Sequence, residues 1–198
     1  MGAGGWIVAG VVVAIALYVI AIYNRLIVLR NRGRNAFAQI DVQLKRRYDL
    51  IPNLVEAVKG YMAHERQTLE AVINARARAM SASDAAAKHP GEMQAMAALA
   101  SAEGMLTGAL SKLMVSVEAY PQLKANENVL ALQEELVSTE NRIGFARQAY
   151  NDAVMDYNIK RETFPEILVA STLGLAPAQQ LQSTESAAER RAPRAAIT

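Results

Sequence analysis

Residues able to support acid–base or metal chemistry are few in this chain. It has no cysteine and two histidines, His64 and His89. The lack of cysteine excludes disulfide scaffolds, thiolate zinc sites and thiol nucleophiles. His64-Glu65 begins an HExxH zinc-protease pattern, but Thr68 stands where the second histidine ligand is needed. Neither histidine follows a glutamate by three residues, as the carboxylate metal sites of four-helix proteins require.

Other catalytic patterns are also missing from the sequence. It contains no Gly-rich phosphate loop and no recognisable Ser, Lys or Asp catalytic motif. We therefore expect a protein that is not an enzyme and that has no metal site and no cofactor. The remaining question is which elements the sequence builds and what surfaces they present.

The composition indicates long helices. The 198 residues are 52% hydrophobic, yet there are only 11 Gly, 6 Pro and 3 Phe. Ala, Leu and Val supply most of the apolar residues, which is poor material for strands and tight turns. The sequence therefore predicts an all-α protein.

An uncharged apolar run extends from Trp6 to Ile22. About 20 such residues in a helix span a hydrocarbon core of about 30 Å. A cleaved signal peptide is the alternative, but such a peptide carries its basic residues before the apolar run. Here they follow it, so we expect a retained anchor, with Trp6 and Tyr23 near the two membrane interfaces.

Basic residues are concentrated directly after the apolar run. Residues 1–47 carry seven basic side chains and one acidic one, a net charge of +6. The positive-inside rule then places the N-terminus outside and the rest of the chain in the cytoplasm. An anionic lipid surface would attract the basic collar, which consists of Arg25, Arg30, Arg32 and Arg34. No aromatic interleaving or recognition motif accompanies these charges, so we expect no nucleic-acid binding.

Beyond the anchor, apolar residues recur with alternating steps of three and four, as in long helices packed at shallow angles. Breaks in this pattern predict chain reversals at 49–53, 81–91 and 121–126, with Asn126 capping the last long helix. We expect one transmembrane helix, continuous with a long antiparallel four-helix bundle. The expected domains are an anchor over 1–23, the bundle over 24–175 and a flexible tail over 176–198.

Several polar residues fall on or beside the apolar stripes. Glu103 occupies an inward position of the third helix, where a buried acid often sets register by pairing with a basic residue. Arg76 and Arg147 are the partners that the spacing suggests for it. The repeated pairs Tyr150-Asn151 and Tyr157-Asn158 are expected to bond neighbouring backbone and side chains rather than a ligand.

Longer motifs carry a family resemblance. The run 35–59, NAFAQIDVQLKRRYDLIPNLVEAVK, resembles the opening of the LemA family of membrane-anchored bacterial proteins. YPQLKAN at 120–126 and the ENRI, ARQAYN, YN and FP motifs that follow are similar to its second half. The resemblance covers residues 23–175 and implies a single-pass anchor with a four-helix soluble part. The family has no settled activity, so the resemblance constrains architecture more than function.

These features favour a scaffold or adaptor of the bacterial inner membrane, which self-associates and organises other membrane proteins or a membrane domain. A small-molecule or metal sensor using the bundle interior, and a hydrolase with an unrecognised site, are the alternatives. Two surfaces are candidates for assembly, and we expect the membrane-proximal one, containing Leu168 and Leu173, to govern it. The other is the predicted distal turn, which contains Tyr48, Asp49, Pro52 and Asn53.

Overall fold

The computed structural model describes residues 2–62 and 64–182, and all regular elements in these two ranges are helices. The all-α prediction is therefore confirmed for the described part of the chain. The elements are α1 (Ala3–Lys59), α2 (Arg66–Lys88), α3 (Met93–Glu118), α4 (Pro121–Lys124), α5 (Glu127–Glu162) and α6 (Glu166–Thr172).

Helix α1 joins the predicted anchor to the core without interruption. Its 57 residues correspond to a length of about 86 Å at about 1.5 Å per residue. The first part is exposed, whereas buried side chains recur every three or four residues from Ile22 to Val58. One helix thus carries both the apolar run and one face of the core.

The chain reversal predicted at 49–53 is wrong, because α1 continues through Pro52 to Lys59. Proline inside a helix removes the hydrogen bond to the carbonyl four residues earlier, which here belongs to Tyr48. Arg76 supplies the missing donor, since its Nε lies 2.6 Å from the Tyr48 oxygen. The reversal instead falls between Lys59 and Arg66, the ends of α1 and α2.

The second predicted loop, 81–91, is also shorter in the structure, because α2 continues to Lys88. Only residues 89–92 connect α2 to α3. Ile73 is exposed, and the buried face of α2 consists mainly of small side chains: Val72, Ala75, Ala79, Ser83 and Ala86. Alanine has high helix propensity, so residues read as a loop extend the helix.

Four helices supply one apolar core. Helix α1 packs against α5 and α2, and α2 packs against α3. Along α1 and α5 the contacts run in opposite numerical order: Phe37 meets the ring of Tyr150, and Arg46 pairs with Glu135. Asn126 caps α5 as predicted, because its Oδ1 accepts from the backbone amides of Asn128 and Val129.

Candidate membrane-proximal site

The apolar start of α1 is an exposed surface that the described core does not cover. Its most apolar 18-residue window has a mean hydropathy of 2.6 and is 6% buried. Trp6 and the valines and isoleucines that follow face outward around the whole helix. By its length and composition, this helix is long and apolar enough to cross a membrane.

The basic collar follows on the same helix. Arg25, Arg30, Arg32 and Arg34 are all exposed, and between them Leu26 and Gly33 face the core. Gly33 approaches Val154 of α5, since a Cβ built on it would lie 3.9 Å from the Val154 Cγ2. The guanidinium groups are thus distributed around α1 immediately beyond the apolar run.

The short helix α6 packs beside the end of the apolar run. Val169, Ala170 and Leu175 form a small separate core with Ile22 and Leu26 of α1. The opposite side of α6 is open, because Leu168 is 58% and Leu173 is 51% exposed. The segment therefore folds back onto α1 and also presents apolar side chains outward at the level of Ile22.

Residues 176–182, which the sequence assigned to the flexible tail, lie along α5. We call residues 175–181 the strap. The Tyr157 hydroxyl donates to the Ala176 carbonyl at 2.9 Å, and the Tyr150 hydroxyl donates to the Gln179 carbonyl at 2.7 Å. The rest of the predicted tail, 183–198, lies outside the described residues.

Two asparagines continue the same pattern. Asn158 accepts from the Ala178 amide at 3.0 Å and donates to the Ala178 carbonyl at 2.8 Å. Asn151 pairs in the same way with Leu181, at 2.9 and 3.1 Å. Seven helical residues and three extended residues both advance about 10 Å. The spacing of the repeated Tyr–Asn pairs along α5 therefore matches the backbone repeat of an extended chain.

The loop between α2 and α3 completes the seat of the strap. Gly91 has φ +87, and its carbonyl accepts from the Gln179 amide at 2.9 Å. A Cβ on Gly91 would come within 3.1 Å of the Ala178 Cβ. Glycine is thus required here both by the backbone conformation and by the close approach of the strap.

Glu103 is buried, as its inward position predicts, but its basic partner is Arg47. The Arg47 Nη1 donates to Glu103 at 2.9 Å and lies 3.0 Å from a carboxylate oxygen of Glu140. Tyr48 donates to the second Glu103 oxygen at 2.5 Å. The proposed partners Arg76 and Arg147 are therefore wrong. Arg76 instead bonds the Tyr48 carbonyl.

Burial dominates the electrostatics of this cluster. Glu103 is 8% exposed, and burial raises its pKa even though Arg47 and Tyr48 stabilise the charged form. Burial next to the Glu103 carboxyl also raises the pKa of Tyr48. The Tyr48 hydroxyl therefore remains a hydrogen-bond donor. The cluster joins α1, α3 and α5 and has the character of a structural network.

The four residues assigned to a distal turn lie on consecutive turns of a helix. Tyr48 is buried, whereas Asp49, Pro52 and Asn53 are exposed on α1. They do not form a tip, because the ends of α1 and α2 are beyond them. The stretch nevertheless keeps an exposed polar face.

The described residues contain no group of three or more His, Cys, Asp or Glu side chains placed to hold a metal ion. Glu65 of the His64-Glu65 pair precedes α2, so the pair does not present a helical face. Nothing in residues 2–62 and 64–182 therefore assembles the ligands that a catalytic zinc needs.

Comparison with known proteins decides the family. A family model described as the LemA family matches residues 36–196. The chain belongs to the LemA family. The match begins just after the basic collar and includes the last part of α1, the other helices, the Tyr–Asn pairs and the strap.

Several curated relatives support this LemA assignment. The magnetosome proteins MamQ 1 and MamQ 2 of Paramagnetospirillum magneticum are each 25% identical over 186 residues, which cover 86% of this chain and 68% of the relative. Magnetosome protein MamQ of Magnetospirillum gryphiswaldense is 24% identical, with 77% of this chain and 61% of the relative covered. Protein LemA of Metamycoplasma hominis is 27% identical over 162 residues, which cover 82% of this chain and 69% of the relative. None of these names denotes an enzyme.

Sequence reasoning missed three parts of this LemA chain's site. Arg47 lies between Leu44 and Ile51 on the core stripe, a periodic signal obscured by the adjacent Lys45 and Arg46. The strap has no periodic pattern, and the only signal for it was the Tyr–Asn repeat on α5. The contact of Arg76 with the Tyr48 carbonyl had no local sequence signal.

Proposed function

We propose that this LemA-family protein is a non-enzymatic scaffold anchored in the bacterial inner membrane. The observation that carries the proposal is the unbroken helix α1, which joins an exposed apolar run to the core. A rigid connection of this kind fixes the position of the helical part relative to a bilayer. The relatives' names are consistent with a role that is not catalytic.

We further propose the finer architecture and orientation. Helices α1, α2, α3 and α5 are interpreted as an antiparallel four-helix bundle, with the N-terminus outside and the bundle in the cytoplasm. The asymmetry of charge around the apolar run supports this orientation. Because the chain has no cysteine, Gly4→Cys and Asn53→Cys variants test it with a membrane-impermeant maleimide. Labelling of the first in intact spheroplasts and of the second only after lysis is expected. The reverse pattern would contradict the orientation.

The scaffold is proposed to self-associate through its membrane-proximal end. Leu168 and Leu173 of the α6 region are exposed beside the end of the apolar run, where a bilayer interface or a second copy would cover them. Anchors in one membrane hold copies side by side at high effective concentration, so modest contacts suffice for assembly. Other membrane proteins are the proposed further partners.

The assembly proposal is tested by comparing two double variants in mild detergent and in membranes. Leu168→Ser with Leu173→Ser is expected to reduce oligomer size and membrane clustering. Asp49→Ala with Asn53→Ala, on exposed positions of α1, is the matched control and is expected to leave both unchanged. Loss of assembly only in the second pair would instead assign the interaction to the exposed face of α1.

A small-molecule sensor is the second candidate, favoured by one specific feature. A groove of about 800 Å³ lies between α3 and α5, lined by Leu110, Met114 and Leu136 and with Arg47 beside it. Saturable binding of an apolar fluorescent dye, with a rise in the unfolding temperature, would support a ligand site there. Binding that persists after Leu110→Trp fills the groove would refute it.

A further inference from the structure

A second cavity lies at the membrane-proximal end and is distinct from the groove. Its volume is about 260 Å³, and its walls come from α1, the loop between α2 and α3, α5 and the strap. Arg30 and Arg34 contribute from α1, and Lys88 and His89 contribute from the end of α2. Elements distant in sequence therefore bring three cations, Arg30, Arg34 and Lys88, and the His89 imidazole to one concave surface.

The charge of this cavity is not balanced by its other lining residues. Glu92 is the one acidic residue among them, and the His89 Nδ1 lies 3.9 Å from its carboxylate. Within the described residues, Arg30, Arg34 and Lys88 form no ion pair with a carboxylate. Like charges four residues apart on a helix, as at Arg30 and Arg34, repel each other. An anion between them would remove that repulsion.

We propose that this cavity binds the phosphate group of an anionic phospholipid. Guanidinium groups bind phosphate oxygens through paired hydrogen bonds, and an ammonium group adds a point charge. The cavity of about 260 Å³ has room for several waters and therefore admits one phosphate group with part of its hydration shell. The Tyr150 and Tyr157 hydroxyls in the wall already donate to the strap. The side-chain donors left for a ligand are therefore those of Arg30, Arg34, Lys88 and His89.

The position along α1 selects a lipid as the source of the phosphate. Arg30 follows Ile22 by eight residues, or about 12 Å along the axis. Helical side chains lean toward the N-terminus, so its guanidinium reaches back toward the lipid phosphates just outside the hydrocarbon core. This choice of source rests on the proposed membrane anchoring. The recognition of a phosphate group does not.

The experiment counts lipids on the full chain. Protein purified in mild detergent is incubated with phosphatidylglycerol or with phosphatidylcholine and examined by native mass spectrometry. We expect one phosphatidylglycerol to be retained per chain in preference to phosphatidylcholine. Arg30→Gln with Arg34→Gln is expected to weaken retention by at least about tenfold. Lys88→Gln is expected to weaken it as well.

Matched controls separate the cavity from general attraction to the collar. Arg25→Gln with Arg32→Gln removes the same charge from the same helix outside the cavity, and Lys112→Gln removes an exposed lysine from α3. Both controls are expected to retain the lipid. Equal loss in the controls and in the cavity variants would overturn the proposal. Because Lys88→Gln alters a different helix, it gives an independent result if the double variant fails to fold.

A second arm distinguishes the two sources of phosphate. Inorganic phosphate and glycerol phosphate are added to the same protein, and the unfolding temperature is recorded. Little stabilisation is expected at concentrations where phosphatidylglycerol stabilises. Equal stabilisation by free phosphate, lost in the cavity variants, would overturn the lipid assignment. Sedimentation of the variants with washed membranes reports anchoring separately, so failure of the proposed function is distinguishable from failure of this inference.

Discussion

Replacing Arg76 with methionine is expected to destabilise the protein, because one backbone carbonyl loses its hydrogen-bond donor. Pro52 leaves the Tyr48 carbonyl without its helical donor, and Arg76 Nε replaces that donor at 2.6 Å. The methionine side chain retains most of the apolar stem of arginine but has no N–H group to donate a hydrogen bond. The cost of losing a hydrogen bond from a charged donor is about 1.5 to 3 kcal/mol. We expect a loss in unfolding free energy of about 2 kcal/mol.

A double-mutant cycle isolates this carbonyl from other effects of Arg76. Pro52→Ala restores an amide that bonds to Tyr48, so Arg76→Met in that background should cost less than about 1 kcal/mol. Pro52→Ala alone should also stabilise α1, because proline is about 3 kcal/mol less favourable than alanine inside a helix. Arg78→Met, at an exposed position of α2, is the matched control and should be nearly neutral.

The assay is urea unfolding of the full chain in mild detergent, monitored by circular dichroism. The variants are compared where the dependence of the unfolding free energy on urea concentration is the same. A coupling of about 1 to 2 kcal/mol between positions 52 and 76 is expected. An equal cost of Arg76→Met with and without Pro52 would show that the hydrogen bond to the Tyr48 carbonyl is not the source of the effect. Arg76 would then stabilise the helices by packing or charge alone.

Three further predictions concern the polar groups of the core and strap. Burial raises the pKa of Glu103 above its ordinary 4.5, so the folded state binds the carboxyl proton more tightly than the unfolded state does. The melting temperature of the native chain relative to that of Glu103→Gln should therefore be highest below pH 4.5 and should fall as the pH rises through the folded-state pKa. Thr139 is 1% exposed and its hydroxyl lacks a partner within the described residues, so Thr139→Val should raise the unfolding free energy by about 1 kcal/mol in urea titrations. Asn158→Ala should accelerate hydrogen exchange at the Ala178 amide, whereas Asn141→Ala, exposed on the same helix, should not.

Periodicity was sufficient to predict the long helices and much of the core. Met96, Leu99, Leu106 and Leu113, which recur at helical spacing along α3, are all buried, and Glu103 is buried among them. The helical repeat sets which residues share one face, so the spacing of apolar residues in the sequence is sufficient to identify such a stripe. The anchor is predictable for the same reason, since a long apolar run needs no tertiary information.

The errors occur where a distant residue decides the local outcome. Proline inside a helix usually breaks or kinks it, but at Pro52 the side chain of Arg76, on another helix, supplies the missing donor and α1 continues. Hydrophobicity alone does not identify the buried face of α2, because small alanines are buried there while Ile73 is exposed. Arg47 stands in a run of three basic residues, yet Glu103 and Glu140 hold it in the core at 5% exposure. Each outcome depends on tertiary contacts that no local pattern encodes.

We propose that membrane-anchored copies meet at their membrane-proximal ends. Because the chain lacks cysteine, oxidative crosslinking in native membranes tests it with Leu173→Cys and, as the control on α1, Asn53→Cys. Rapid disulfide-linked dimers are expected for Leu173→Cys, and none above the random-collision level are expected for Asn53→Cys. Dimers formed by Asn53→Cys but not by Leu173→Cys would contradict it.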